Sequence, residues 1–320
     1  MNKVFKISFI IPLLALIIWS SSCDKIENVY KPDFGGIDTS LYPGPGIYEI
    51  PEFGEYPSEA QNILLEDFTG HTCVNCPVAG DIAHELKEEN SGRVIVASIH
   101  ASPDSTFQDF TIPSDPTYPM YSHNFNTEAG TEYTIDIPGF IGNPTGLINR
   151  TTDDAGQIWK FHPSWGAQVH EILDNNLPLL MNVQVNTNYY TETRGLFVHV
   201  QSETFRELAG RYNLVIYLID DEYIDWQKDK DADPEDVEFY HHHDVLLHNI
   251  NGTWGSQLFD GSSAVGETFV NHYTYQLPED IELDGSDPNS DTGLSLIVYL
   301  MNRDTYEIIQ VIEQGLLVTY

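Results

Sequence analysis

Two cysteines stand three positions apart in the first third of the chain, in the segment Cys73-Val74-Asn75-Cys76. Two thiols at this spacing can form a disulfide, exchange it with another thiol, or supply half of a zinc site. A tetrahedral zinc site needs two further ligands, usually cysteine, and the chain has only three cysteines in all. The pattern therefore favours disulfide or redox chemistry over zinc binding.

The flanking residues predict the elements that hold these cysteines. Residues 62–68 and 93–100 form apolar runs typical of buried strands, and residues 78–89 have helical spacing. The cysteines therefore lie where a strand leads into a helix. Free N–H groups and the helix dipole lower the pKa of a thiol at this position. We expect Cys73 to be the attacking thiolate and Cys76, one turn further on, the resolving thiol.

Residues 64–77 (LLEDFTGHTCVNCP) resemble the active-site junction of the thioredoxin fold. In detail they are similar to the lipoprotein family related to the twenty-eight-kilodalton outer membrane protein of Bacteroidetes. The resemblance implies a thioredoxin-like domain followed by a β-rich domain on a lipid anchor. It also implies that Asp67 takes the proton of the second cysteine and that Pro144 is a cis-proline facing the disulfide. Thr72 stands where thioredoxins carry tryptophan, which leaves the direction of electron flow open.

The N-terminus predicts export and lipid attachment. Residues 1–22 carry two lysines near the start, then an apolar stretch, and end in three consecutive serines, as in a signal peptide, and Cys23 follows directly. We interpret Cys23 as the lipidated first residue of a mature lipoprotein, the alternative being an ordinary signal peptide with a chance cysteine. Residues 23–58 are rich in Pro, Gly, Asp and Tyr and predict a flexible tether, unless their tyrosines pack on the folded body.

The predicted thioredoxin-like domain covers residues 59–179. The distance from Cys76 to the proline is long for a minimal thioredoxin, so residues 101–140 are interpreted as an insertion. This insertion forms either a short helical cap near the site or a surface excursion. His71 either assists the thiolate or is an exposed loop histidine.

Residues 180–320 have a different pattern. At least six short β-like runs with polar turns predict an antiparallel immunoglobulin-like sandwich. The fold class expected for the chain is thus an α/β thioredoxin-like domain followed by an all-β sandwich domain. This second domain has no cysteine, and its fold says little about function.

Two stretches of the second domain invite a metal interpretation. Residues 229–236 alternate carboxylates as in a calcium loop, but Pro234 replaces the glycine that an EF-hand requires. Of three consecutive histidines in a strand, only His241 and His243 share a face. We favour a solvated acidic loop and assign no metal site and no cofactor.

The negative charge of the chain limits the classes of partner that it can bind. With 49 acidic against 14 basic residues, the formal charge is −35, which argues against nucleic-acid binding.

The leading hypothesis is an envelope lipoprotein, anchored in the outer membrane, that exchanges disulfides with protein thiols. The rival is a non-enzymatic surface lipoprotein with a structural disulfide and a β domain that binds a partner or glycan. A calcium-dependent adhesion module is a third, weaker hypothesis. The sequence does not indicate an oligomeric state.

Overall fold

Strands dominate the regular structure, and the α-helices of the described residues all lie before residue 176. The computed structural model describes residues 37–108, 120–281, 283 and 291–319. The predicted signal peptide and Cys23 lie outside these residues. No helix in the described part of the chain is long and apolar enough to cross a membrane. The helices are α1 (Cys76–Glu89), α2 (Glu128–Asp136) and α3 (Trp165–Asn175), with short 3₁₀ turns at Thr39–Leu41 and His162–Ser164.

The strands of the described residues belong to two sheets. They are β1 (Ile63–Thr69), β2 (Val94–His100), β3 (Thr145–Ile148), β4 (Met181–Tyr190), β5 (Gly195–Thr204), β6 (Leu208–Lys228), β7 (Asp236–Asn249), β8 (Ser256–Ser263), β9 (Thr268–Gln276), β10 (Asp291–Asn302) and β11 (Ile308–Leu317). The larger sheet has the order β11-β10-β6-β7-β2-β1-β3, with β8 also paired to β6, and the smaller has the order β4-β5-β9.

The larger sheet joins the two halves of the sequence. Strands β1 and β2 are parallel, β3 is antiparallel to β1, and β7 pairs with β2 at one position, Ser98 opposite Val245. On one face, α1 and α3 cover alternate residues of β1 and β2, which form a separate apolar cluster. The opposite face packs against α2 and against residues of β6 and β10.

The smaller sheet packs across a third apolar cluster. Residues of β4, β5 and β9 meet residues of β6, β10 and β11 in this cluster. Residues 37–58, part of the predicted tether, run along the smaller sheet. Tyr48 is buried there, with its ring stacked on Phe197 at 4.3 Å and its hydroxyl 2.6 Å from Nε2 of His199. Tyr48 therefore packs on the folded body, which is the alternative that the sequence left open for this segment.

The ends of β6 and β7 leave the sheet together as a two-stranded ribbon, which we call the arm (residues 221–243). Its pairing runs from Glu222 opposite His243 to Lys228 opposite Asp236. At its base, Asp244 adopts φ 55° in the left-handed region, which redirects β7 at this point. The acidic residues 229–236, predicted as a solvated loop, form the tip of the arm. The three consecutive histidines, residues 241–243, lie on β7, the second strand of the arm.

Candidate functional site

The two cysteines lie at the start of α1, as the sequence predicts. Cys76 is the first helical residue, and Pro77 occupies the first turn, where its missing N–H costs no hydrogen bond. The N–H of Cys73 donates to the carbonyl of Gly70 at 3.0 Å. Cys73 and Cys76 are joined by a disulfide with 5.4 Å between their Cα atoms, and each is only 2% exposed.

The segment before the cysteines packs tightly against the insertion. A Cβ added at Gly70 would lie 2.7 Å from the Phe107 carbonyl oxygen, so a larger residue would displace this backbone. Gln108 donates from Nε2 to the carbonyl of Thr69 at 2.6 Å. The insertion therefore holds the CxxC loop (residues 70–76) in place from one side.

Asp67 is the buried carboxyl on the strand that leads into the CxxC loop. It is 1% exposed, and its Oδ1 has no hydrogen-bond partner. Burial raises the pKa of Asp67 from 3.8 to about 8, because the charged form loses its hydration. At neutral pH the neutral acid therefore predominates, and it can give up or take a proton close to that pH.

Asp67 and Cys76 line the same cavity of about 280 Å³, which lies between α1 and the arm. Its floor consists of residues near the carboxyl ends of β1 and β2, a common place for ligand sites in α/β sheets. Its walls carry several titratable groups. Besides Asp67 and Cys76, the polar and histidine residues around it are Thr69, Asp81, His84, Ser98, His100, Gln227, Tyr240, His241, His242, His243 and Asp244.

Three buried histidines surround the aromatic ring of Phe125. The ring centroids of His71, His100 and His242 lie 5.7, 4.5 and 4.9 Å from it. Burial lowers the pKa of His100 well below its usual value and that of His242 to about 3, so both imidazoles are neutral. Both ring nitrogens of His100 and Nε2 of His242 have no hydrogen-bond partner.

His71 is 1% exposed, so the alternative of an exposed loop histidine is wrong. Within the described residues, no three His, Cys, Asp or Glu side chains are arranged to hold a metal ion.

The insertion supplies Phe125 and Tyr121, whose ring lies 5.3 Å from that of His71. The described part of the insertion therefore borders the site.

Pro144 lies in the loop before β3. The Asn143–Pro144 peptide bond is cis. Asn143 donates from Nδ2 to the carbonyls of Thr69 at 2.6 Å and Ala101 at 3.1 Å, which ties this loop to the ends of β1 and β2. The loop thus adjoins the strand that leads into the CxxC.

Sequence reasoning brought Asp67, Cys73, Cys76 and the proline loop to one end of the sheet, where the structure places them. It missed the arm. Gln227 is 2% exposed and donates from Nε2 to the carbonyl of Cys73 at 3.1 Å, yet nothing in its local sequence marks it as part of the site. The run of three histidines at residues 241–243, to which no metal site was assigned, was the available signal.

No family model and no curated protein matches the sequence. Among solved structures, HBP35 of Porphyromonas gingivalis superposes with a TM-score of 0.57 at 14% identity, over 81% of this chain and 76% of that one. Protein AGR_C_4864 from Agrobacterium tumefaciens gives a TM-score of 0.44 at 12% identity, over 82% and 96%. A domain of the outer membrane lipoprotein Omp28 from P. gingivalis gives 0.29 at 16% identity, over 44% and 99%. The first of these likenesses indicates that the chain and HBP35 share a fold.

Proposed function

We propose that the chain is a cell-envelope lipoprotein, anchored through Cys23, whose thioredoxin-like part exchanges disulfides with protein thiols. The β-rich part would be its immunoglobulin-like partner domain. The observation that carries the proposal is a helix-start disulfide whose Cys76 shares a cavity with the buried Asp67, a carboxyl whose Oδ1 has no hydrogen-bond partner. A carboxyl whose pKa is about 8 can exchange protons with a thiol near neutral pH.

The proposed reaction conserves two electrons and two protons. A substrate thiolate attacks Sγ of Cys73, forming a mixed disulfide as the Cys73–Cys76 bond breaks. The electron pair leaves on Cys76, which takes a proton from Asp67. A second substrate thiolate then attacks the substrate sulfur of the mixed disulfide, which releases an oxidised substrate and leaves Cys73 as a thiolate. The two protons that the substrate thiols gave up return from solvent to Asp67 and Cys73, so both cysteines end as thiols. In the opposite direction, Asp67 accepts the proton of Cys76.

The direct test is reduction of insulin by dithiothreitol. The wild-type chain is expected to accelerate insulin precipitation, and Cys73→Ser is expected to abolish the acceleration, because the attacking sulfur is gone. Cys23→Ser is the matched control, since it removes the remaining cysteine of the chain and should keep the activity. Equal rates with wild type and Cys73→Ser would refute exchange by this pair.

The rival function is a surface lipoprotein in which the disulfide is structural. The 2% exposure of each cysteine favours it, because a thiolate must reach a sulfur to exchange with it. A glutathione titration separates the two. A reduction potential within roughly −120 to −270 mV supports exchange, whereas one below about −300 mV supports a structural disulfide.

A further inference from the structure

The arm lies directly on the CxxC loop and pairs with it through the backbone. The N–H of Lys228 donates to the carbonyl of His71 at 2.8 Å, and the N–H of Lys230 donates to the carbonyl of Val74 at 3.0 Å. Lys228 ends β6 and Lys230 lies in the turn that follows it. The arm is therefore tied to the backbone of the CxxC loop at two points.

Gln227 reinforces this contact from its side chain. Its Nε2 lies 3.1 Å from the carbonyl oxygen of Cys73 and 3.3 Å from that of Gly70. Each of these carbonyls also accepts a backbone N–H from within the loop, Gly70 from Cys73 and Cys73 from Cys76, so Gln227 adds a second donor to both. Gln227 holds the arm to the residues on either side of the disulfide.

A second contact fastens the tip of the arm to the insertion. The hydroxyl of Tyr121 donates to Oδ1 of Asp236 at 2.6 Å. Nζ of Lys228 donates to the same oxygen at 2.7 Å, which connects the two strands of the arm at this point. Tyr121 and Gln227 therefore hold the arm at two separate points.

The arm has no fully buried apolar side chain. Within residues 221–243 the buried side chains are Gln227 and His242, both polar. Ile224 and Phe239 are 50% and 71% exposed. Segments held by a few hydrogen bonds and little apolar burial open at lower free energy than a packed core.

We propose that the arm is a gate over the Cys73–Cys76 disulfide. In the closed position seen here it shields both sulfurs, and its opening lets a thiolate reach Cys73. The inference rests on the proposed function, because a gate matters only if the disulfide is exchanged. A movable arm explains how a cysteine pair placed for redox chemistry can react although both sulfurs are buried.

The test compares Gln227→Glu with wild type in the full chain. Glutamate keeps the size of the side chain but faces the Cys73 and Gly70 carbonyls with an acceptor, so the arm should open more often. Gln257→Glu makes the same substitution at an exposed site on β8 and is the control. Circular dichroism verifies that each variant is folded.

Two rates are measured. One is hydrogen exchange of the Lys228 and Lys230 amides, which reports opening of the arm. The other is the second-order rate of Cys73–Cys76 reduction by dithiothreitol, which is itself oxidised to its cyclic disulfide. We expect both rates to rise at least about tenfold in Gln227→Glu and to stay unchanged in Gln257→Glu.

Tyr121→Phe provides an independent variant that preserves packing and removes only the hydroxyl donor. It should raise both rates by about three- to tenfold. Reduction rates that stay within twofold of wild type in both variants would overturn the gate, whether or not amide exchange accelerates. The insulin assay is separate: a wild type inactive on insulin with rates that rise in the variants would refute exchange and leave the gate standing.

Discussion

Strand β1 presents adjacent carboxyl groups to opposite faces of the sheet, and the two faces treat them differently. Glu66 is completely buried and accepts hydrogen bonds from Arg150, with Nε at 2.8 Å and Nη2 at 2.7 Å, and from the Tyr217 hydroxyl at 2.9 Å. Asp67 is equally buried, and its Oδ1 has no partner. On one face Arg150 compensates the buried charge of Glu66, whereas on the other face Asp67 has no such cation and keeps its proton at neutral pH.

The difference shows that burial alone does not identify a functional carboxyl. On the Glu66 face the partners come from β6 and from the loop after β3, so the network ties β1 to the second half of the chain. On the Asp67 face the neighbour is a cavity shared with Cys76. The set of partners separates a structural role from a chemical one.

The largest effect is expected from breaking the compensated side. Arg150→Met leaves the Glu66 carboxylate buried without its cation, which should lower the free energy of unfolding by about 3–5 kcal/mol. Urea denaturation measures the loss. The double variant Glu66→Gln with Arg150→Met should recover part of it, because no unpaired charge then remains. A single-variant loss below about 1 kcal/mol would contradict the structural role of this pair.

On the other face, the expected effect is on chemistry. Asp67→Asn cannot exchange a proton with Cys76, so the rate of insulin reduction should fall about 10²-fold. Asp81→Asn is the matched control, because Asp81 is an exposed carboxyl that lines the same cavity. A rate for Asp67→Asn that equals the control would remove Asp67 from the proposed reaction.

The junction that holds both carboxyls was predictable because its signals are local. The apolar run at residues 62–68 gave β1 to within one residue, and the helical spacing gave α1, which begins at Cys76 rather than at residue 78. The earlier start follows from Pro77, which fits the first turn of a helix. Asp67 and Pro144 were found through resemblance, since spacing alone does not distinguish them from other acidic and proline residues.

The arm was not predictable from periodicity. Residues 221–228 read DEYIDWQK and lack the apolar alternation of a half-buried strand, because this ribbon lies outside the core. Its contact with the CxxC loop joins residues more than 150 positions apart, such as Gln227 and Cys73. The sequence also does not predict that the two halves of the chain share one sheet, because β2 and β7 pair at one position only.

A third prediction concerns the pH dependence that Asp67 gives to stability. Its folded-state pKa of about 8 exceeds the ordinary 3.8, so the folded chain keeps a proton that the unfolded chain releases between these values. The stabilising contribution is complete below about pH 4 and is lost as pH rises through 8, by at most about 1.4 kcal/mol per pH unit. Asp67→Asn should therefore gain stability relative to wild type from pH 5 to pH 8 in urea titrations. Parallel curves would mean that the folded-state pKa is not raised.

The smallest effect is expected from an ion pair like that of Glu66 but placed in solvent. Arg211 donates from Nε to Oδ1 of Asp304 at 2.8 Å, with the two side chains 51% and 44% exposed. Water solvates both charges when the pair is broken, so Asp304→Asn should leave the urea midpoint unchanged within error. Set beside Arg150→Met, this result would assign the cost of the buried variant to desolvation. A loss as large as that of Arg150→Met would instead mean that ion pairing itself, irrespective of burial, stabilises the fold.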